Sequence, residues 1–210
     1  MTPGGKLPTM SAITLYGTTT SPYVRRVRVI AQELGVEVKL VNAFDDDGQA
    51  QMRTVNPIWK VPTATIGELS MLDSGTICEY LLSNHGPEPL ARFHGDNIHE
   101  RNLLTVIDGA LDSLINGFYL ARDGVTTDAS AYARKQQERA RSAMSWLEQW
   151  ATGPWLSQVH QLGLSEIAMV TTLDWMRFRN TYDVSAHPKL VELADHWAQR
   201  ESFSSTAPSV

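Results

Sequence analysis

Residues 60 to 75 read Lys60-Val61-Pro62-Thr63-Ala64-Thr65-Ile66-Gly67-Glu68-Leu69-Ser70-Met71-Leu72-Asp73-Ser74-Gly75. A proline ahead of a short β-prone run, a Gly-Glu turn and a second run predict a hairpin, Pro62 to Ile66 and Leu69 to Leu72. The Asp-Ser pair then opens a helix from Ser74 to Ser83 that ends at Asn84-His85-Gly86. Toward the N-terminus, Ile13 to Tyr16 reads as a strand. Tyr23 to Leu34 carries apolar residues at helical spacing and stops at Gly35, and Val36 to Val41 alternates like a second strand. Asp45-Asp46-Asp47-Gly48 reads as a turn, followed by a short helix to Val55 that Asn56-Pro57 stops.

The order βαβ then αββα is that of an α/β, thioredoxin-like domain. Beyond Pro87-Glu88-Pro89-Leu90, where two prolines in three residues break any continuing helix, the strand signals vanish. Helices are expected over Asp96 to Ala121, Ala129 to Trp150, Ser165 to Arg179 and Pro188 to Arg200, an all-α bundle. The division is therefore a disordered Gly-, Pro- and Thr-rich extension over 1–10, an α/β domain over 11–86, a linker over 87–95 and a helical domain over 96–210. With 210 residues, two domains can each bury a core.

Three short segments carry groups that one small ligand could use together. Thr20-Ser21-Pro22-Tyr23-Val24 sets hydroxyls at a helix start, where free N–H groups and the helix dipole favour an anion such as a thiolate. Lys60-Val61-Pro62-Thr63 puts an X-Pro bond before a strand, where a cis isomer turns backbone groups outward to pair with a peptide-like ligand. Asp73-Ser74 sets a carboxylate beside a hydroxyl at a helix start, able to receive an ammonium and a carboxylate at adjacent positions. Glutathione carries all of these groups. Taken singly, each segment is ordinary: a capping serine, a trans strand start, an acidic helix cap.

Four segments in this order, Ser21 to Arg28, Asn56 to Pro62, Asp73 to Leu81 and Arg200 to Pro208, make the chain resemble a cytosolic-type glutathione S-transferase over roughly residues 11 to 208. The similarity is to the bacterial-type, Ser/Thr-motif members with omega-, zeta- or theta-like features, the subclass staying open. It implies a thioredoxin-like N-terminal domain plus an all-α C-terminal helical bundle, glutathione as co-substrate, no metal, a homodimer, and a cytoplasmic transferase of alkyl or aryl groups acting in detoxification. It implies that Ser21 or Thr20 stabilises the glutathione thiolate, with Thr18, Thr19 or a backbone N–H as the remaining choices. Serine at the place of a catalytic cysteine forms no mixed disulfide. The resemblance assigns the cysteinyl unit to the Val61 backbone with Pro62 holding the turn, the glycyl carboxylate to Lys60, the γ-glutamyl ammonium to Asp73 and its carboxylate to Ser74. Glutamate is the usual family residue where Asp73 stands; aspartate is shorter by one methylene, so the implied contact is longer or water-mediated.

The pocket for a small apolar electrophile falls to Tyr23 and to the first helix of the bundle, with Leu111, Ile115, Phe118 and Tyr119 as candidates. Leu103, Ile107 and Leu114 share that stripe, most of which is core. Two other readings remain: a glutathione-dependent isomerase of the maleylacetoacetate type, suggested by Ser21 to Arg28, and a non-catalytic protein that keeps the fold. Against the first, that group carries a second Ser-Cys pair where Pro22-Tyr23 stands.

The single cysteine, Cys78, excludes an internal disulfide framework and reads as a small buried hydrophobe. The six histidines show no metal-ligand spacing. A net charge of -5 gives no sign of a nucleic-acid partner, and Arg25, Arg26 and Arg28 read as solvated or paired with acids. No uninterrupted apolar run reaches the ~20 residues of a membrane span, and Met1 to Met10 lacks a secretion-signal layout. Family members carry Ser or Thr three residues before Asp at the start of the core helix; here Gly163 and Glu166 stand in those places.

Overall fold

The computed structural model describes residues 12–86, 88–92 and 97–209, so the expected extension over 1–10 and part of the linker over 87–95 lie outside the described residues. The elements are β1 (Ile13–Gly17), α1 (Pro22–Glu33), β2 (Val38–Asn42), α2 (Asp46–Val55), β3 (Thr63–Ile66), β4 (Leu69–Leu72) and α3 (Ser74–His85), then α4 (Ile98–Arg122), α5 (Ala131–Glu148), α6 (Leu164–Arg179), α7 (Pro188–Trp197) and α8 (Glu201–Ser204). The sheet order is β2-β1-β3-β4. β1 runs parallel to β2, with Ile13 opposite Val38, and antiparallel to β3, with Leu15 opposite Ala64, while β4 closes the hairpin. No strand follows β4 among the described residues. This is a thioredoxin-like layer followed by a helical layer.

Several boundaries shift by one to three residues from the sequence reading, two of them for visible reasons. Val36 donates its N–H to Ala31 O and Gly35 sits at φ +65°, so Val36 belongs to a left-handed C-cap of α1 and β2 starts at Val38. Asp45 is the N-cap of α2, its carboxylate accepting from Gly48 N at 2.7 Å, so Asp46 to Gly48 form the first helical turn and not a free turn. A Cβ on Gly48 would sit 1.8 Å from Asn42 O, which makes glycine obligatory where α2 crosses the end of β2.

α1 is clamped between α3 and α6, and one apolar cluster runs through it, from Leu15 and Ile30 to Ile77, Leu81, Ile107 and Ile167. Arg25 and Arg26 lie inside that clamp, 2 % and 1 % exposed, and are not solvated. Arg25 donates to Asp174 of α6 at 2.7 Å and to the Phe203 carbonyl at 3.0 Å, while Arg26 donates to Asp108 of α4 at 2.8 Å. Their partners lie 82 to 178 residues away, so they tie the sheet layer to the helices. Once such ions are desolvated, each needs its partner.

α4 is, by length and composition alone, apolar enough to cross a membrane, because only the acids Asp108 and Asp112 interrupt its apolar middle. In this fold its stripe of Leu103, Ile107 and Leu111 is wholly buried, with α5 and α6 as its main helix neighbours. At the head of α6, Gly163 has no side chain to cap with. The buried Glu166 carboxylate instead accepts from Gly163 N at 3.1 Å, Leu156 N at 3.0 Å and Ser157 N at 2.7 Å, half of a capping box extended to the preceding loop.

Candidate active site

A cavity of about 410 Å³ opens where the start of α1, the loop before β3, α2, α4 and α6 meet. At the start of α1, Pro22 occupies the first turn and needs no N–H there, and Ser21 is the N-cap. Ser21 Oγ accepts from Val24 N at 3.3 Å, which leaves its own O–H free to donate. Thr20 also lines the cavity, and its Oγ1 lies 3.5 Å from Thr18 Oγ1; Thr19 is exposed and does not line it.

The loop before β3 is fixed by Asn56, only 1 % exposed. Its Nδ2 donates to Lys60 O at 2.8 Å and to Thr63 Oγ1 at 2.6 Å, and its Oδ1 accepts from Ile58 N at 2.9 Å. Sequence reasoning took Asn56-Pro57 as a helix stop and as the start of the Asn56 to Pro62 segment but missed this bracing; a polar residue immediately after a helix and four residues before the Lys-Val-Pro run was the available signal. The Val61-Pro62 peptide is cis. Val61 and Lys60 line the cavity, whereas Pro62 is buried behind it.

Tyr23 is on the wall as expected, but its hydroxyl is committed, donating to Asp112 Oδ1 at 2.7 Å. Burial, then the adjacent Asp112 carboxylate, raise its pKa above the usual tyrosine value, which keeps it the neutral donor of this bond near neutral pH. From α4 the wall takes Asp112, Ile115, Phe118, Tyr119 and Arg122, spaced along one helical face. Leu111, a sequence candidate, is not among them. One residue before Asp112, it is turned about 100° away and lies buried on the core stripe with Leu103, Ile107 and Leu114.

Asp73 and Ser74 do not line this cavity. Asp73 is the exposed N-cap of α3, accepting from Thr76 N at 3.0 Å. Its φ of +69° with ψ of 164° is a conformation that a residue other than glycine keeps only when its surroundings impose it. Ser74 is buried, its Oγ accepting a long 3.5 Å bond from Arg26 Nη1. Cys78 is buried and its thiol is pushed up to about 12, chiefly by desolvation, which makes it inert. Among the described residues no group of three or more His, Cys, Asp and Glu side chains could hold a metal.

Sequence reasoning also missed the cavity residues Phe44, Gln49, Arg53, Trp59, Trp175 and Arg179. They come from four separate segments, and no spacing within any one of them signals a shared wall. The exposed Phe44 and Trp59 were the detectable hints, being large apolar side chains in polar or turn-rich surroundings.

The family model for the glutathione S-transferase N-terminal domain matches residues 15–89. An uncharacterized GST-like protein of Escherichia coli K12, YibF, is 29 % identical over 202 residues, covering 92 % of this chain and 98 % of that protein. A glutathione S-transferase from Methylobacillus flagellatus, solved with glutathione bound, is 26 % identical with a TM-score of 0.82, covering 94 % of this chain and all of that one. One from Methylobacterium radiotolerans, solved with glutathione sulfonate, superposes equally well (TM-score 0.82) at 23 % identity, over 95 % of this chain and 96 % of its own. The fold and the sequence match define a thioredoxin-like domain joined to a transferase-type helical domain. Residues 15–89 thus match the glutathione S-transferase N-terminal domain, and over nearly its whole length the chain is similar to glutathione S-transferases and GST-like proteins.

Proposed function

We propose that this protein binds glutathione and activates its thiol for attack on a small, largely apolar electrophile. The observation that carries the reading is the cavity itself, which joins a hydroxyl-bearing helix N-terminus to an apolar wall from the helical layer. A model thiol of pKa ~8.5 is only about three per cent thiolate at pH 7. Lowering that pKa by ~2 units takes about 2.7 kcal/mol of preference for the anion. One hydroxyl bond to a charged sulfur supplies roughly 1.5 to 3 kcal/mol, and a helix N-terminus roughly 0.3 to 1. No general base is required.

Ser21 is the donor in this reading, because it keeps its proton while its lone pair caps α1. Thr20, beside it on the wall, is the next choice. The Val61 backbone pairs with the cysteinyl unit and Lys60 meets the glycyl carboxylate. Asp73 and Ser74 receive the γ-glutamyl end from the head of α3, a placement supported by the imposed backbone at Asp73. The sulfur forms a bond to the electrophilic carbon, and the leaving group departs with its bonding pair. Tyr23, Ile115, Phe118 and Tyr119 give that carbon's substituents an apolar surface.

The reading also includes a cytoplasmic homodimer in which the region of α3 faces the partner's helices, for which light scattering should give twice the 23.3 kDa chain mass at micromolar concentration. The functional test is calorimetric titration with glutathione followed by turnover of aryl halides and isothiocyanates. Saturable binding and conjugation are expected. Absence of binding at millimolar glutathione would refute the reading.

A further inference from the structure

The chain carries a net charge of -5, yet the charged side chains lining the cavity are Arg53, Lys60, Arg122 and Arg179 against one carboxylate, Asp112. That carboxylate already accepts the Tyr23 hydroxyl. On the α2 side, Arg53 donates to Gln49 and lies 4.8 Å from the Trp59 ring centroid, and Lys60 is taken by glutathione in the reading above. Arg122 and Arg179 have no such occupation. They are the last residues of α4 and α6, and neither side chain makes an ion pair or hydrogen bond among the described residues.

Both instead flank one aromatic ring. The guanidinium carbons lie 5.9 Å and 5.4 Å from the Phe118 centroid, and Arg179 also lies 4.7 Å from that of Phe178. Arg179 Nε is shielded from solvent and has no hydrogen-bond partner. A helix C-terminus alone accounts for one arginine at such a place. It does not account for two like charges around one ring without an acid, when Arg177 of the same α6 turn is paired with Asp195 at 3.0 Å. Trp175 meets the Phe118 ring edge-on at 6.0 Å, so the cations border an aromatic surface.

We propose that the electrophile this site accepts is an aromatic or similarly flat molecule bearing a carboxylate, with the ring against Phe118 and Trp175 and the carboxylate held by Arg179 and Arg122. This rests on the glutathione-transferase reading and names its substrate class. For an aryl chloride, the sulfur–carbon bond forms, the carbon–chlorine bond breaks and chloride leaves with the electron pair. The carboxylate takes no part beyond binding.

The test uses a pair that differs in charge at nearly constant shape, 4-chloro-3-nitrobenzoate and 4-chloro-3-nitrobenzamide, with each rate divided by its uncatalysed rate with glutathione. A preference in kcat/KM of about tenfold or more for the benzoate is expected, carried mainly by KM, and the ratio should fall toward one in R179Q and in the R122Q/R179Q double variant. Calorimetry of the wild-type protein with the two glutathione adducts separates the layers of the argument and needs no variant to fold. Tighter binding of the carboxylate adduct supports the proposal. Equal binding of both adducts overturns the carboxylate assignment alone, and binding of neither overturns the glutathione reading with it.

Discussion

Removing the Ser21 hydroxyl should change the ionisation of bound glutathione much more than its affinity. The hydroxyl has two uses in this geometry, accepting from Val24 N at 3.3 Å and donating toward the cavity. Losing the first costs about 1 kcal/mol of helix capping at most, at the weak end because the bond is long. Losing the second removes roughly 1.5 to 3 kcal/mol from the thiolate, which raises its pKa by about 1.1 to 2.2 units. If the bound thiol begins at a pKa of about 6.5, the thiolate fraction at pH 7 falls from roughly three quarters to between about 20 and 2 per cent. Turnover at saturating glutathione should fall about 4- to 40-fold in parallel.

Thiolate absorbance of the complex across pH measures this directly, and Ser21→Gly separates the two uses. Glycine is nearly as good a cap as serine, losing only a few tenths of a kcal/mol, but lacks the hydroxyl as alanine does. Equal thiolate loss in Ser21→Ala and Ser21→Gly, with unequal stability, is expected. An intact thiolate signal in both, with its loss in Thr20→Ala, would move the assignment by one residue. An intact signal in all three would refute hydroxyl activation.

Asp174→Ala should destabilise the protein by about 3 kcal/mol in urea, because it strands Arg25 at 3 % side-chain exposure; a loss under about 1 kcal/mol would refute the clamp between α1 and α6. Gly48→Ala should destabilise by about 1 to 3 kcal/mol despite alanine's better helix propensity, since the added carbon meets the Asn42 carbonyl; an unchanged melting temperature would contradict that crossing. Glu100 is held up at about 7, first by burial and then by the nearby Glu166 carboxylate. Its carboxyl stays protonated in the fold where the unfolded chain has already ionised, so its contribution to stability falls as pH rises from about 4.5 to about 7. Glu100→Gln should flatten that decline in pH-dependent unfolding, and an unchanged slope would refute it.

The sequence by itself determined the element order, because each element carries local signals: alternation in Thr63 to Leu72, helical spacing from Tyr23 to Leu34, Gly35 and Asn56-Pro57 as stops. It also named the residues at the start of α1 and before β3, where a cap and an X-Pro bond are local chemistry. Tertiary structure decided what lies opposite them. Whether Leu111 or Asp112 faces the cavity depends on the rotation of α4 against its neighbours, a difference of about 100° that hydrophobic spacing does not resolve when both sides of the helix are covered. Arg25 and Arg26, in a helix-opening run, read equally as solvated or as paired with acids, and only the fold made them buried ties, because their acids, Asp174 and Asp108, arrive from helices far along the chain. Arg122 and Arg179 flank one ring only because α4 and α6 end at the same rim of the bundle, a meeting that no sequence window contains.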